Sequence, residues 1–317
     1  MEIQRIADLW QQLRATIGEV VLDQEESSRL LLIALLSRGH VLLEGLPGTG
    51  KTLLARTFSR CLQLDFKRIQ FTPDLMPGDV VGTNLFNFQT NEFRLTRGPL
   101  FTEFLLADEI NRTPPKTQSA LLEAMQERSV TIDGTSHELS PGFMVVATQN
   151  PIEHEGTYPL PEAQLDRFLF KLEIGYPQRD LEVAMVQIHG GRDSGQQEIG
   201  ADATIADLAT IQAARETVAQ LHLADELVAY VVDLVRATRD QPALQFGASP
   251  RTANMLAMAA RAAAVLEGRD FVIPDDIKGL LNPVMRHRLV LSPTAEVEGS
   301  SIDQVLASII DTVAAPR

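Results

Sequence analysis

Gly45-Leu46-Pro47-Gly48-Thr49-Gly50-Lys51-Thr52 satisfies the pattern G-x-x-x-x-G-K-[ST]. The residue types suit one task. Glycines let backbone N–H groups turn inward onto phosphate oxygens, and the N-terminus of a following helix adds positive potential. Lys51 is then placed for the β- and γ-phosphates and the Thr52 hydroxyl for Mg²⁺. The flanks agree with this. His40-Val41-Leu42-Leu43-Glu44 reads as a short buried strand before the glycines, and 51–62 reads as a helix after them. The stretch implies a site for a nucleoside triphosphate, ATP with Mg²⁺.

Outward from this point the chain alternates strands and helices. Ile3, Ile6, Ala7, Trp10 and Leu13 recur at helical spacing, and a second helix is expected over 24–37. Strands are expected at 66–71, 104–108 and 143–148, the last two buried and apolar, with a helix over 117–128. Nearly all-apolar strands alternating with helices indicate a parallel sheet covered on both faces. Two segments interrupt the alternation. Leu85, Phe86, Phe88, Phe93 and Leu95 flank the turn Gln89-Thr90-Asn91, and Asp133-Gly134 sits within a second β-rich run. Both read as hairpins, near 83–96 and 130–139. After about residue 190 the stretch Gly190-Gly191-Arg192-Asp193-Ser194-Gly195-Gln196 reads as a linker, and alanine-rich helical patterns follow at 204–220, 224–239 and 250–266. The expected division is an α/β core over 1–190 and a linker with a small helical domain over 191–317.

A chain of 317 residues is long enough for two such domains. Its net charge of −14 disfavours a surface that tracks the polyanionic backbone of nucleic acid. Cys61 is the only cysteine, which excludes an internal disulfide and a cysteine-rich metal site. The apolar run 30–36 is far too short to span a bilayer, and the first residues lack the pattern of a signal peptide. A cytoplasmic location is expected.

The second chemical stretch is Phe104-Leu105-Leu106-Ala107-Asp108-Glu109, an apolar strand ending in adjacent carboxylates. Beside a phosphate cradle, Asp108 suits the hydration shell of Mg²⁺ and Glu109 suits polarisation of an attacking water.

With these two stretches, further blocks resemble the MoxR family of AAA+ ATPases. They are Phe71-Thr72-Pro73-Asp74-Leu75-Met76-Pro77-Gly78-Asp79, Asp108-Glu109-Ile110-Asn111-Arg112, Pro115 through Met125, Ala147-Thr148-Gln149-Asn150-Pro151, and Leu160-Pro161-Glu162-Ala163-Gln164-Leu165-Asp166-Arg167-Phe168. They run in order over about 41–170. The resemblance implies an AAA+ P-loop core followed by a helical lid, and ATPase activity. It implies that Asn150 is the sensor 1 residue and that Arg167 is an arginine finger for the nucleotide of a neighbouring subunit. Arg251, in Gly247-Ala248-Ser249-Pro250-Arg251-Thr252, would be sensor 2 on a lid helix, and Arg112 would lie near a subunit interface. Thus a homo-oligomeric ring, a hexamer, is implied, with a protein client and a partner bearing a von Willebrand factor A domain. The two hairpins would face the pore, with Phe86, Phe88 and Phe93 as candidate contacts. One departure is Asp23-Gln24, where relatives often carry Gly-Gln before the second helix. Val20 and Val21 stay as expected walls for the base. His287 is read as structural or interfacial. Three alternatives stay open: a low-turnover regulator or scaffold, a metal-chelatase-type motor subunit, and a nucleic-acid translocase.

Overall fold

The computed structural model describes residues 2–151, 156–189 and 203–316. The expected linker at 190–196 lies outside them. Two helices, α1 (Ile3–Gly18) and α2 (Glu25–Leu36), lead into β1 (Val41–Gly45), the glycine cradle and α3 (Lys51–Cys61). Next come β2 (Phe66–Gln70), a short α4 (Pro77–Val81), and the antiparallel hairpin β3 (Gly82–Asn87) and β4 (Glu92–Arg97). β5 (Phe104–Asp108) and α5 (Pro115–Glu127) precede the second hairpin, β6 (Ser129–Ile132) and β7 (Thr135–Glu138). The core continues through β8 (Met144–Gln149), α6 (Glu162–Leu165), β9 (Phe170–Ile174) and α7 (Arg179–His189).

The main sheet has the order β2-β5-β8-β1-β9, and every pairing in it is parallel. Its three central strands, β1, β5 and β8, are buried on both faces, and alternate residues serve opposite sides. Leu43, Leu106 and Val146 join one apolar cluster with α1, α2 and α3. Leu42, Leu105, Ala107, Val145 and Ala147 join the other, against α5. Both hairpins form where the sequence places them. The parallel α/β core is the expected fold class, and it brings the C-terminal ends of β1, β5 and β8 side by side. Ligands of open α/β sheets sit beyond such strand ends.

Helices dominate the remainder: α8 (Leu208–Gln220), α9 (Asp225–Ala237), α10 (Pro250–Leu266), α11 (Pro274–Met285), α12 (Pro293–Val297) and α13 (Ile302–Thr312). Two short strands, β10 (Leu244–Phe246) and β11 (Val290–Leu291), pair among them. In α10, Ala259, Ala260, Ala262, Ala263 and Ala264 are all buried. Their small side chains let α1, α9 and α11 pack closely on this central helix. No helix among the described residues is long and apolar enough to cross a membrane.

His40 ties the base of the sheet together. The Val145 N–H donates to Nδ1 at 2.9 Å, so Nε2 carries the proton and donates to the Met125 carbonyl at 3.1 Å. Burial, helped by the charges of Arg128, Arg215 and Arg251, lowers the imidazole pKa to about 3. An unfolded histidine titrates near 6.5. Neutral His40 therefore stabilises the fold fully above about pH 6.5, and that contribution is lost progressively as the pH falls from there towards 3. Urea denaturation from pH 7 to 4 is expected to show a shallower loss of stability for His40→Gln than for the wild type. His40→Ala is expected to cost about 3 kcal/mol at pH 7, because two buried backbone groups lose their partner.

Candidate nucleotide site

The cradle lies between the end of β1 and the start of α3. Gly48 and Gly50 both have φ of 81°, in the left-handed region that glycine enters without a steric penalty. An added Cβ at either would meet no atom within 4 Å, so the loop backbone faces open space. Gly45 is different. A Cβ there would lie 2.3 Å from the Ile174 carbonyl oxygen on β9. The first glycine of the pattern is thus required by the closeness of two strands, as well as by its place in the cradle.

Lys51 curls over the loop it belongs to. Its ammonium donates to the Gly45 carbonyl at 2.7 Å and the Leu46 carbonyl at 2.6 Å. Burial pulls its pKa below the usual lysine range, and the charges of Asp108 and Glu109 oppose that pull. A cleft of about 410 Å³ gathers Gly45, Pro47, Gly48, Thr49, Gly50, Lys51, Thr52, Asp108, Glu109, Thr148 and Asn150. Among the expected cradle residues only Leu46 is outside its wall, contributing a carbonyl to Lys51 instead.

The two carboxylates are fixed by a neighbouring strand. The Thr148 hydroxyl on β8 donates to Asp108 Oδ1 at 2.7 Å and accepts the Glu109 N–H at 2.9 Å. Asp108 Oδ2 accepts Nε and Nη2 of Arg68 at 2.9 and 2.6 Å. Glu109 Oε2 accepts from Gln70 at 2.7 Å and from Arg112 at 3.1 Å. The Glu109 backbone has φ of 56°, an unusual conformation for a residue with a side chain. Arg68, Gln70 and Thr148 went unread in the sequence. They act from neighbouring strands, and only the sheet order brings them to the carboxylates.

For Mg²⁺ the donors suit the ion. Thr52 and Asp108 share one cleft, and a hydroxyl with a carboxylate is a hard oxygen set that leaves room for water and phosphate oxygens. A second cleft of about 470 Å³ adjoins the cradle through Gly48, Thr49, Gly50 and Leu53. Its far wall includes Val20, Val21, Tyr176, Met185 and Val186. This apolar slot has the character of a base site. Val20 and Val21 are there as expected, and Tyr176 and α7 are additions that the Tyr176-Pro177 pair after β9 could have signalled. A larger hollow of about 750 Å³, beside α1 and α2, carries Asp23, Glu25 and Glu26 and none of the cradle.

The family model for ATPases associated with various cellular activities (AAA) matches residues 40–170, and that for the AAA lid domain matches 236–309. The chain is 46% identical to YeaC of Bacillus subtilis, over 95% of this chain and 92% of that protein. It is 44% identical to chaperone MoxR1 of Mycobacterium tuberculosis, over 95% and 81%. It is 33% identical to protein MoxR of Methylorubrum extorquens, over 95% and 93%. This chain belongs to the MoxR family of AAA+ ATPases. A crystal structure from Cytophaga hutchinsonii, of a protein named only as a candidate ATPase, matches with a TM-score of 0.91 at 38% identity. That match covers 99% of this chain and 97% of the other.

Within this MoxR-family fold the expected arginines separate into two groups. Arg112 turns inward to Glu109 of its own chain. Arg167 and Arg251 line neither the cradle cleft nor the base cleft. Arg167 follows α6 and donates from Nε to Gln126 at 3.1 Å. Arg251 is exposed in the first turn of α10, directly after Pro250. Asp166, the residue before Arg167, is bound by Arg288 at 2.8 Å. On the first hairpin Phe86 packs edge-on against Phe88 and Phe93, while Phe88 and Phe93 stay largely exposed. His287 is buried, donates from Nε2 to the Phe168 carbonyl, and does not line the cradle cleft. Gly45→Ala is expected to destabilise the protein by about 2 kcal/mol, read by denaturant titration without nucleotide, because the new methyl meets backbone and β1 must shift.

Proposed function

We propose that this chain hydrolyses ATP to ADP and phosphate at sites completed between neighbouring subunits of a ring, a hexamer. One observation carries the reading. Lys51, Thr52, Asp108, Glu109 and Asn150 share one cleft, whereas Arg167 and Arg251 stand outside it on the same chain. The domain division at about residue 190 belongs to this proposal, with 191–317 acting as linker and lid.

Each side chain has a task in it. The cradle N–H groups of 45–50 hold the phosphates. Lys51 exchanges its loop carbonyls for phosphate oxygens, a stronger partner for an ammonium. Thr52 and Asp108 would hold Mg²⁺, and that ion, when bound, would offset the phosphate charge. Glu109 orients and polarises water, and must exchange its bonds to Gln70 and Arg112 to do so. Asn150 reports the γ-phosphate. Arg167 supplies positive charge to the transferring phosphoryl group of the neighbour, and Arg251, as sensor 2, answers the γ-phosphate from the lid. The coupled work is chaperone-like remodelling or activation of a protein complex, with a von Willebrand factor A domain protein as partner. MoxR1 of Mycobacterium tuberculosis is itself named a chaperone.

A low-turnover regulator is the second reading, favoured by the bonds that already engage both carboxylates. Steady-state ATPase measurement separates the two. Glu109→Gln is expected to bind ATP normally and lower turnover about 100-fold or more. Near-wild-type turnover in that variant would remove the assignment. Arg167→Ala is expected to lose about 10³-fold in turnover while each subunit still binds ATP. A specific activity independent of protein concentration across the assembly range would contradict the shared site.

A further inference from the structure

Three consecutive residues after α11 grip the segment that carries Arg167. Arg286 pairs with Glu173 on β9 at 3.3 Å and with Asp303 on α13 at 2.8 Å. His287 donates to the Phe168 carbonyl at 3.0 Å. Arg288 does the most. Its Nε donates to the Asp166 carboxylate at 2.8 Å, and Nη1 to the Leu169 carbonyl at 3.2 Å. Its Nη2 donates to the Phe168 carbonyl at 2.5 Å and the Asp166 carbonyl at 3.3 Å. One buried guanidinium thereby holds residues 166, 168 and 169, on both sides of Arg167. The same Nη2 lies 2.9 Å from the Met255 sulfur on α10, one turn beyond Arg251.

We infer that Arg288 is a positioning residue for Arg167, fixing the backbone around it to the lid of the same subunit. This rests on the reading of Arg167 as a finger for the neighbour's nucleotide. Arginine suits the role because its planar fork serves a carboxylate and several carbonyls at once, which an ammonium cannot do. Precision matters here, since a misplacement of about 1 Å at a charge-stabilising group costs about 100-fold in rate. The arrangement also gives the lid a direct hold on the finger. A shift of α10 and α11 carries the 166–169 backbone with it. Arg251 lies on α10 one turn before Met255, so it belongs to the element that this joint holds.

Mixed rings test this. Glu109→Gln chains have an idle site but an intact finger, and Arg167→Ala chains have an intact site but no finger. Mixing the two is expected to raise turnover about tenfold or more over either alone. Adding Arg288→Gln to the Glu109→Gln chain is expected to lower that restored kcat about tenfold, with KM for ATP unchanged. Adding it to the Arg167→Ala chain is expected to leave the restored rate unchanged. Asp166→Asn, which weakens the same joint from the core side, is expected to give the same asymmetry to a smaller degree. Equal restoration in both placements overturns the inference. Loss in both placements also overturns it, because Arg288 then serves the fold or its own subunit's site. Absence of any restoration from the first pair removes the shared-finger reading itself, and this inference with it.

Discussion

The Thr148 hydroxyl is the point on which the site's geometry turns. It sits buried at the end of β8 and spends its proton on Asp108 while accepting the Glu109 N–H. A hydroxyl has one proton and two lone pairs, so it can bind both neighbours at once. The result reaches past two hydrogen bonds. Holding the Glu109 N–H toward β8 accompanies a left-handed backbone at Glu109, which costs about 1 kcal/mol for a residue with a side chain. That turn sends successive carboxylates in different directions. Asp108 stays with the sheet and Glu109 reaches across to Gln70 and Arg112. A threonine on β8, the strand beside β1 in the sheet but far from it in the chain, thus separates two acids that adjoin in sequence.

The charge pattern follows from this separation. Arg68 lies between Asp108 and Gln70, and Gln70 lies between Arg68 and Glu109. Arg112 closes the far end. Two carboxylates beside a phosphate cradle would repel an incoming polyanion. Each carboxylate has a guanidinium against it, Arg68 at Asp108 and Arg112 at Glu109, so this local field is reduced despite a chain charge of −14. The Arg68 side chain is nearly half exposed, so its pairing with Asp108 is screened by water and exchangeable. An exchangeable partner suits a carboxylate whose proposed task is to take up a metal ion's hydration shell.

Much of this was legible in the residues. The runs behind β1, β5 and β8 are continuously apolar, and the cradle has a demanding pattern, so the core strands and the cleft residues read directly. The strand β9 did not. Phe170-Lys171-Leu172-Glu173-Ile174 alternates as an edge strand does, and its polar face is used, Lys171 pairing with Glu44 on β1 at 2.6 Å. Arg68 and Gln70 alternate along β2 in the same way and pass for solvent-facing residues of another edge. Their partners are fixed by the register of β2 on β5, in which Gln70 stands beside Asp108. No spacing within one segment encodes that register. Gly45 was legible for one reason and required for a second, the carbonyl of Ile174, which only the pairing of β1 with β9 supplies.

The junction of lid and core shows why its two buried histidines must stay neutral. Leu169 donates its N–H to the His40 carbonyl at 2.8 Å, and His287 donates to the adjacent Phe168 carbonyl. His40 and His287 therefore bracket one short stretch of backbone, and each feels nearby guanidinium charge, from Arg128 at His40 and from Arg288 at His287. Burial and the Arg288 charge hold His287 well below the usual histidine range, as burial and Arg128 do for His40. A neutral imidazole donates a hydrogen bond without adding charge, and it fills space that a lysine or arginine could occupy only at a large cost in repulsion and desolvation. The stretch that leads from the base of the sheet to Arg167 is held by such uncharged donors and by one arginine whose carboxylate partner is Asp166. Its rigidity comes from hydrogen bonds to main-chain carbonyls, which are specific in direction, whereas the apolar cluster beneath it resists separation but tolerates sliding.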